Sequence, residues 1–379
     1  MMHVKKILLF IAILFLTFSK IFPQYSLTVQ IADGIIFHKL ELRGPIAVQY
    51  LEVDLTKKNI SVETAIANDY LGNGGERVSE LCERLNAKGY NIIAAVNGDF
   101  FGGKPAQAQN SMIVNGEFAK GNKLDRSEFA LSFEGKPFVE KFKFDGEIIL
   151  RDTILAIKSL NMKSNGNSIS IYNRFYNKRF AVDSLKGLIL LKALNKLTNN
   201  DTLLFLVEKY FGDYFLDTLQ RNEYLVGKID EEFLNNRITE EDTLKIYLGT
   251  IPSVGNIKTL IGGLPRLVID GIPIEDFNGV EGLKSKKFIG KNPRTAVGFN
   301  EDSTKLFIVT VDGRQTHYSL GMTLPELAKF MKKIGCYQAV NLDGGGSTTM
   351  WVNGKIENSP SDKEGERPVH NALIVRITK

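Results

Sequence analysis

The chain has 379 residues, 43% hydrophobic and 24% charged, an ordinary globular composition that suffices for one large domain or two small ones. Its 48 basic and 43 acidic residues give +5; residues 1–24 carry Lys5, Lys6, Lys20 and no acid, so without them the balance is 45 to 43, or +2. A near-balanced chain with no sustained basic tract gives no argument for nucleic acid as a partner, and two cysteines are too few for a disulfide framework or, alone, a structural zinc centre.

Residues 1–24 read as an export signal. Lys5 and Lys6 precede an apolar run, Ile7 to Leu16, that is short for a permanent span. Cleavage near residue 24 is the preferred reading and an uncleaved anchor the alternative. The expectation is an exported protein (periplasmic, cell-surface or secreted) comprising residues 25–379, with no stable membrane span. Ile46–Leu55 and Ser61–Ala67 read as strands. Val78, Leu81, Cys82 and Leu85 share one helical face, and Gly89 stands where that helix would stop. Asn91–Asn97 is almost wholly apolar, as a strand covered on both faces would be. In the middle, Leu188–Leu194 and Thr202–Tyr210 read as strands around an Asn199–Asp201 turn, Glu231–Ile238 as a short helix and Thr243–Leu248 as a strand.

Nearer the C-terminus, Thr323-Leu-Pro-Glu326 is a capping box with its proline in the first helical turn. Leu324, Leu327, Ala328, Met331 and Ile334 form the apolar face, Gly335 the stop, Tyr337–Asn341 the next strand and Ala372–Ile377 the last. Cys82 and Cys336 each lie in or beside a predicted helix; both readings stay open, two buried thiols or a bridge that export would permit. No linker, low-complexity tract or tandem repeat divides the chain. The expected fold class is α+β: a single domain with a mixed β-sheet and packed helices.

Two segments share the letters Ala-Val-Asn-x-Asp: AVNGDFFGG at 95–103 and AVNLDGGGS at 339–347. Each follows a helix, a glycine stop and a buried strand, so each delivers Asn and Asp to a strand end, where sites tend to sit. The plain alternative is turn chemistry, but the loops that follow are richer than a turn requires. Gly344, Gly345 and Gly346 let backbone approach a ligand with amides facing an anion, and Ser347 and Thr348 add hydroxyls. The Gly-Lys-Ser/Thr ending of a P-loop is missing. Asp99, Asp312 and Asp343, Arg294, Arg314 and Arg367, and Asn97, Asn341 and Asn371 all fall near predicted strand ends. Carboxylates beside arginines suit a substrate carrying both a phosphate and a reacting sugar.

The motifs VNGDFFGG, IGGLPRLVIDG, NPRTAVGF, VDGRQTHYSLGMTLPELA, AVNLDGGGSTTMWVNG and NSPSDKEGERPVHNAL, in that order, resemble the phosphodiester glycosidase family. The resemblance implies an α+β fold with a mixed sheet, and cleavage of a sugar-1-phosphodiester into sugar and phosphomonoester. Its motif positions fall on Asn97, Asp99, Arg294, Asp312, Arg314, Ser319, Asp343, the three glycines after it, Ser347, Arg367 and Asn371. Asn292 stands where members often have histidine, and His370 where a small residue is common. On this reading Asp343 and Asp312 are the catalytic carboxylates, with Asp99 beside them. The arginines and the Gly344–Gly346 amides clamp phosphate, and Asn97 and Asn371 orient sugar hydroxyls, with Asn341, Ser319 and Thr348 also in the binding set. A good leaving group needs charge stabilisation more than a proton, so a full acid/base carboxylate pair is unnecessary; no cofactor is expected to be required, with a divalent cation (Ca²⁺ or Mg²⁺) as the alternative.

The substrate would be a phosphorylated glycan of the N-acetylglucosamine-1-phosphodiester or cell-envelope and exopolysaccharide kind. Two rival readings are a metal-dependent phosphodiesterase, with Asp99, Asp312 and Asp343 holding Ca²⁺ or Mg²⁺, and an exported module that binds phosphate-bearing glycans without hydrolysing them. Both Ala-Val-Asn-x-Asp tips are expected to line one pocket.

Overall fold

Asx-Gly pairs punctuate the chain and set its architecture. Asn115-Gly116, Asp270-Gly271 and Asn353-Gly354 each have positive φ at both residues. That is the backbone of the two-residue turn that matches strand twist. They close the hairpins Met112–Val114 with Glu117–Lys120, Arg266–Ile269 with Ile272–Pro273, and Met350–Val352 with Lys355–Ile356. The computed structural model describes residues 25–162, 168–176, 188–211, 219–227 and 238–378. The export-signal reading of residues 1–24 and the helix expected at 231–238, apart from Ile238, lie outside them.

The fold class differs from the α+β expectation. Strands make up 48% of the structure and helices 11%, in four short helices among the described residues. The two helices expected from apolar periodicity are there, Val78–Ala87 and Leu324–Lys333, but they add only thin cover to stacked sheets. Nearly every remaining apolar run is a strand returned on its neighbour by a tight turn, so the protein is predominantly β. Among the described residues all strand pairings are antiparallel except Ser159–Leu160 with Ser170–Tyr172.

The first sheet has eight strands in the order Tyr25–Ala32, Ile35–Leu42, Ile46–Asp54, Lys305–Val311, Arg294–Phe299, Gln338–Asn341, Arg266–Ile269, Ile272–Pro273. The second has five: Lys355–Ile356, Met350–Val352, Ile92–Asn97, Asn371–Ile377, Ile60–Ile66. A third five-stranded sheet is built on Glu128–Ser132 and Ile257–Gly262. One core joins all three, with Val297 and Val340 from the first, Val96 and Leu373 from the second, and Phe129 and Ile261 from the third. A second core, including Ile113, Phe144, Leu260 and Ile246, joins the third sheet to a further eight-stranded sheet. Helix Leu324–Lys333 covers the outer face of the first sheet and Val78–Ala87 that of the second. Cys82, on the buried face of helix Val78–Ala87, and Cys336, just after helix Leu324–Lys333, are free buried thiols in separate core clusters. No helix among the described residues is long and apolar enough to cross a membrane.

Antiparallel pairing is what gathers the candidate residues. Arg294 pairs with Val311 and Ala296 with Asn341, so one strand's start and two strands' ends share an edge of the first sheet. Ala372 pairs with Asn97 on the second sheet, bringing Asn371 to the same level. Thr323 caps its helix by accepting from the Glu326 amide at 3.3 Å. Thr323→Ala is expected to lower the unfolding free energy by about 1 kcal/mol in urea titration, with the m-value unchanged.

Candidate active site

The two Ala-Val-Asn-x-Asp tips are bonded to each other. The Asp343 amide donates to the Gly98 carbonyl at 2.9 Å. Asn97 Nδ2 donates to the Asp343 carbonyl at 2.7 Å, and Asn97 Oδ1 accepts from the Thr295 hydroxyl (2.8 Å) and the Thr349 amide (3.1 Å). Asn97 is fully buried, so its side chain is a clip between the sheets rather than a group exposed to solvent. Asn371 does similar service at the first tip, its Oδ1 accepting from the Asp99 amide at 2.7 Å. Gly98 must be glycine there, because a Cβ would stand 2.4 Å from Asn371 Oδ1 and from Ile261 Cδ1.

Asp343, Asn341, Arg294, Arg314, Arg367 and the three glycines 344–346 line one cavity of about 410 Å³, with Phe100 and Phe288 on its wall. Phe100 follows Asp99 directly, so both tips contribute to this pocket. The Phe100 and Phe288 rings meet at 5.7 Å between centroids. Arg294 is 3% exposed, and none of the ion pairs among the described residues involves it. Its Nε donates to the Met322 carbonyl (2.9 Å) and its Nη2 to the Phe288 (2.8 Å), Ile289 and Gly290 carbonyls. Burial, then the neighbouring Arg314 charge, push it down to about 10. A desolvated cation beside another cation is unfavourable unless an anion joins them.

The glycine run is explained differently from its sequence reading. The Gly344 amide donates to Asp343 Oδ1 (2.9 Å) and the Gly345 amide to the Pro293 carbonyl (3.0 Å), so these two do not face an open cradle. The glycines instead make room. A Cβ on Gly345 would stand 2.9 Å from Arg314 Nη2, and one on Gly346 2.1 Å from Arg367 Nη2. Two guanidinium groups thus lie directly on backbone. Arg314 is steadied by Asn292 Oδ1 at 3.0 Å and Arg367 by Asp362 at 2.8 Å. Ser347 lies buried beside the Asp343 carboxylate, and Thr348 Oγ1 is buried with no partner among the described residues. Asn341 Nδ2 bonds the Leu264 and Leu342 carbonyls, leaving its buried Oδ1 without a partner among the described residues.

Burial raises the Asp343 carboxyl to about 6 against the pull of Ser347, the Gly344 amide, Arg367 and Arg314. Asp99 lies deeper. Burial raises it to about 7, opposed by the Asn110 amide and Lys120 and assisted by the nearby Asp343 charge. Its Oδ2 accepts from the Asn110 amide at 2.7 Å, while Oδ1 is buried and unpartnered among the described residues. Asp343 lines the cavity and Asp99 does not, but their charges act on each other, and two neighbouring carboxyls with raised affinity for protons mark a candidate catalytic centre.

Asp312 is not among the groups lining this cavity. Its Oδ2 accepts from Gln49 Nε2 (3.0 Å) and the Tyr318 hydroxyl (3.1 Å), and its Oδ1 from Asn358 Nδ2 (3.2 Å) and the Ser359 amide (2.8 Å). Every lone-pair direction is occupied, so the carboxylate is a hub that fixes neighbouring loops. Ser319 belongs to the same hub: its hydroxyl donates to the Asp312 carbonyl and accepts from the Ala47 amide (3.0 Å). With Asp312 set apart, the three-carboxylate metal set is not assembled, and no group of three His, Cys, Asp or Glu among the described residues is placed to hold an ion. The sequence reading passed over Lys120, Glu128, Asn110 and Phe288. A lone acid opening the apolar run Glu128–Leu131 was the one sign available for the first three.

The Phosphodiester glycosidase family model matches residues 218–376. N-acetylglucosamine-1-phosphodiester alpha-N-acetylglucosaminidase of Mus musculus is 40% identical over 134 residues, covering 35% of this chain and 25% of the mouse protein. The SPbeta prophage-derived uncharacterized protein YomE of Bacillus subtilis is 44% identical over 85 residues, covering 22% and 13%. The chain therefore spans about a quarter or less of the length of these curated relatives. A hypothetical protein from Synechocystis shares the fold at a TM-score of 0.70 and 18% identity, over 93% of this chain and 64% of that one. A putative exported protein from Burkholderia pseudomallei does so at 0.62 and 22%, over 88% and 74%.

The raised carboxyls predict an inverted pH dependence of stability. Asp343 and Asp99 hold protons more tightly in the folded than in the unfolded chain, so their contribution falls as pH rises from about 4 to about 7. In thermal or urea unfolding, Asp343→Asn is expected to flatten part of that slope and to be more stable than wild type at pH 8, by up to about 3 kcal/mol. Asp312→Asn, which sets an amide against existing donors, is expected to lose about 2–4 kcal/mol at every pH. The match to the phosphodiester glycosidase family model over residues 218–376 takes in five of the six sequence motifs.

Proposed function

We propose that this protein is a glycosidase that hydrolyses the sugar–phosphate bond of a sugar-1-phosphodiester, releasing free sugar and a phosphomonoester. The observation that carries the reading is Arg294: a buried guanidinium with no carboxylate partner among the described residues, sharing a cavity of about 410 Å³ with Arg314, Arg367 and the Asp343 carboxylate. The cavity is of a size for one sugar and its phosphate. The arginines would neutralise the phosphate as its bridging oxygen takes up the electrons of the breaking bond. Asp343, ionised above about pH 6, would take the proton of the attacking water or stabilise the oxocarbenium-like carbon. Phe100 and Phe288 offer the apolar wall against which a sugar face packs.

The mouse relative's name, which specifies a phosphodiester of N-acetylglucosamine, supports this substrate class. Envelope or exopolysaccharide glycans are the wider class in which the substrate is sought. Export is part of the same proposal: residues 1–24 have the composition of a signal, and one protein of like fold is described as exported. Residues 25–379 are proposed to act as one domain.

Hydrolysis in ¹⁸O-labelled water tests the reaction. Label is expected at the sugar's anomeric hydroxyl, and label in the phosphate would contradict the proposal by placing the break at phosphorus. Asp343→Asn is expected to lose about 10²–10⁴-fold in kcat while still binding the substrate.

A further inference from the structure

Beneath the pocket lies a group of charges that the reaction as described leaves unused. Glu128 and Gly262 are direct cross-strand partners in the third sheet. Partners so placed carry their side chains on the same face, with Cβ positions about 5 Å apart. The space where a Gly262 side chain would stand is taken by Asp99, whose Cγ would be 2.6 Å from a Cβ there, and by Asn110. Asp99 and Glu128 are thus neighbours across a glycine that must be a glycine. Consecutive backbone amides anchor them: Asn110 N–H donates to Asp99 Oδ2 (2.7 Å) and Ser111 N–H to Glu128 Oε1 (2.9 Å). Their other oxygens, Asp99 Oδ1 and Glu128 Oε2, are buried without a partner among the described residues. Lys120 completes the group. It is 3% exposed, its ammonium donates to the Ala108 carbonyl, and its charge acts on both carboxyls.

Two ionised carboxylates facing one ammonium in a layer closed to water would leave a net buried charge, which is costly. One proton on the pair removes it. We propose that Glu128 and Lys120 are positioning residues for Asp99: Glu128 stands beside it as the neutral acid, and the Lys120 ammonium is the counter-charge that lets Asp99 ionise next to Asp343. This deepens the reading of the pocket above and rests on it for its role in turnover, although the charge arrangement itself is independent of any reaction. The directions of the shifts agree. Burial and the Asp99 charge hold Glu128 well above the usual carboxylate range, and burial depresses Lys120 to about 8. The other charges acting on Asp99 are Asp343 and Arg126.

The test is a carboxyl ¹³C NMR titration of the full chain labelled at Asp and Glu, which needs no substrate. In the wild type, Glu128 is expected to keep the chemical shift of a neutral acid at pH 7; an ionised Glu128 would overturn the proposal without recourse to any variant. Lys120→Met is expected to raise the Asp99 midpoint by about one to three pH units, and Lys120→Arg to restore it. Glu128→Gln, isosteric with the neutral acid, is expected to leave that midpoint in place. An Asp99 midpoint unmoved by Lys120→Met, or lowered by Glu128→Gln, refutes the assignment. Absence of sugar-phosphodiester hydrolysis would instead count against the proposed function and leave these titrations standing.

Discussion

The hydrogen bond from the Asp343 amide to the Gly98 carbonyl, with Asn97 bridging beside it, is the constraint on which the site depends. It ties a strand end of the first sheet to a strand end of the second at the point where their shared core reaches the surface. Because Asn97 is fully buried, each of its polar atoms must find a partner. It finds them on Thr295, Thr349 and Asp343, so three separate chain segments are locked to one side chain. That lock is what keeps two carboxyls, Asp99 and Asp343, out of water and close together.

The electrostatics follow from this placement. Burial lifts both carboxyls and lowers Arg294, each change a penalty on the charged form. A fold seeking only stability would have no use for a buried guanidinium that, among the described residues, bonds backbone carbonyls and no carboxylate. On the proposed function an anionic ligand would resolve the conflict, with phosphate between Arg294, Arg314 and Arg367 as the missing counter-charge. On that proposal the pocket is preorganised for a charge that would arrive with the substrate.

Much of the site was legible because its chemistry is concentrated at strand ends. The helix–glycine–strand units before Asn97 and Asn341 could be read from periodicity, and both tips do meet at one pocket. The roles within it were less legible. Asp312 and Asp343 look alike in sequence, each an Asp-Gly after an apolar strand; only the donors brought by Gln49, Tyr318, Asn358 and Ser359 separate a structural hub from a reactive carboxylate. Gly345 and Gly346 read as anion-binding backbone, whereas they clear space for arginines distant in sequence. The fold class was misread because two strong helical faces, at Val78–Leu85 and Leu324–Ile334, outweighed the hairpin signals at Asn115-Gly116, Asp270-Gly271 and Asn353-Gly354. Helical periodicity is loud over ten residues; a two-residue turn is quiet, though it governs as many strands.

The most direct test of the account is a crystal structure of the Asp343→Asn protein with an uncleaved sugar-1-phosphodiester. The account predicts the phosphate held among Arg294, Arg314 and Arg367, with the anomeric carbon facing residue 343 and the sugar against Phe100 and Phe288. A ligand bound elsewhere, or one whose phosphorus rather than anomeric carbon faces residue 343, would contradict it.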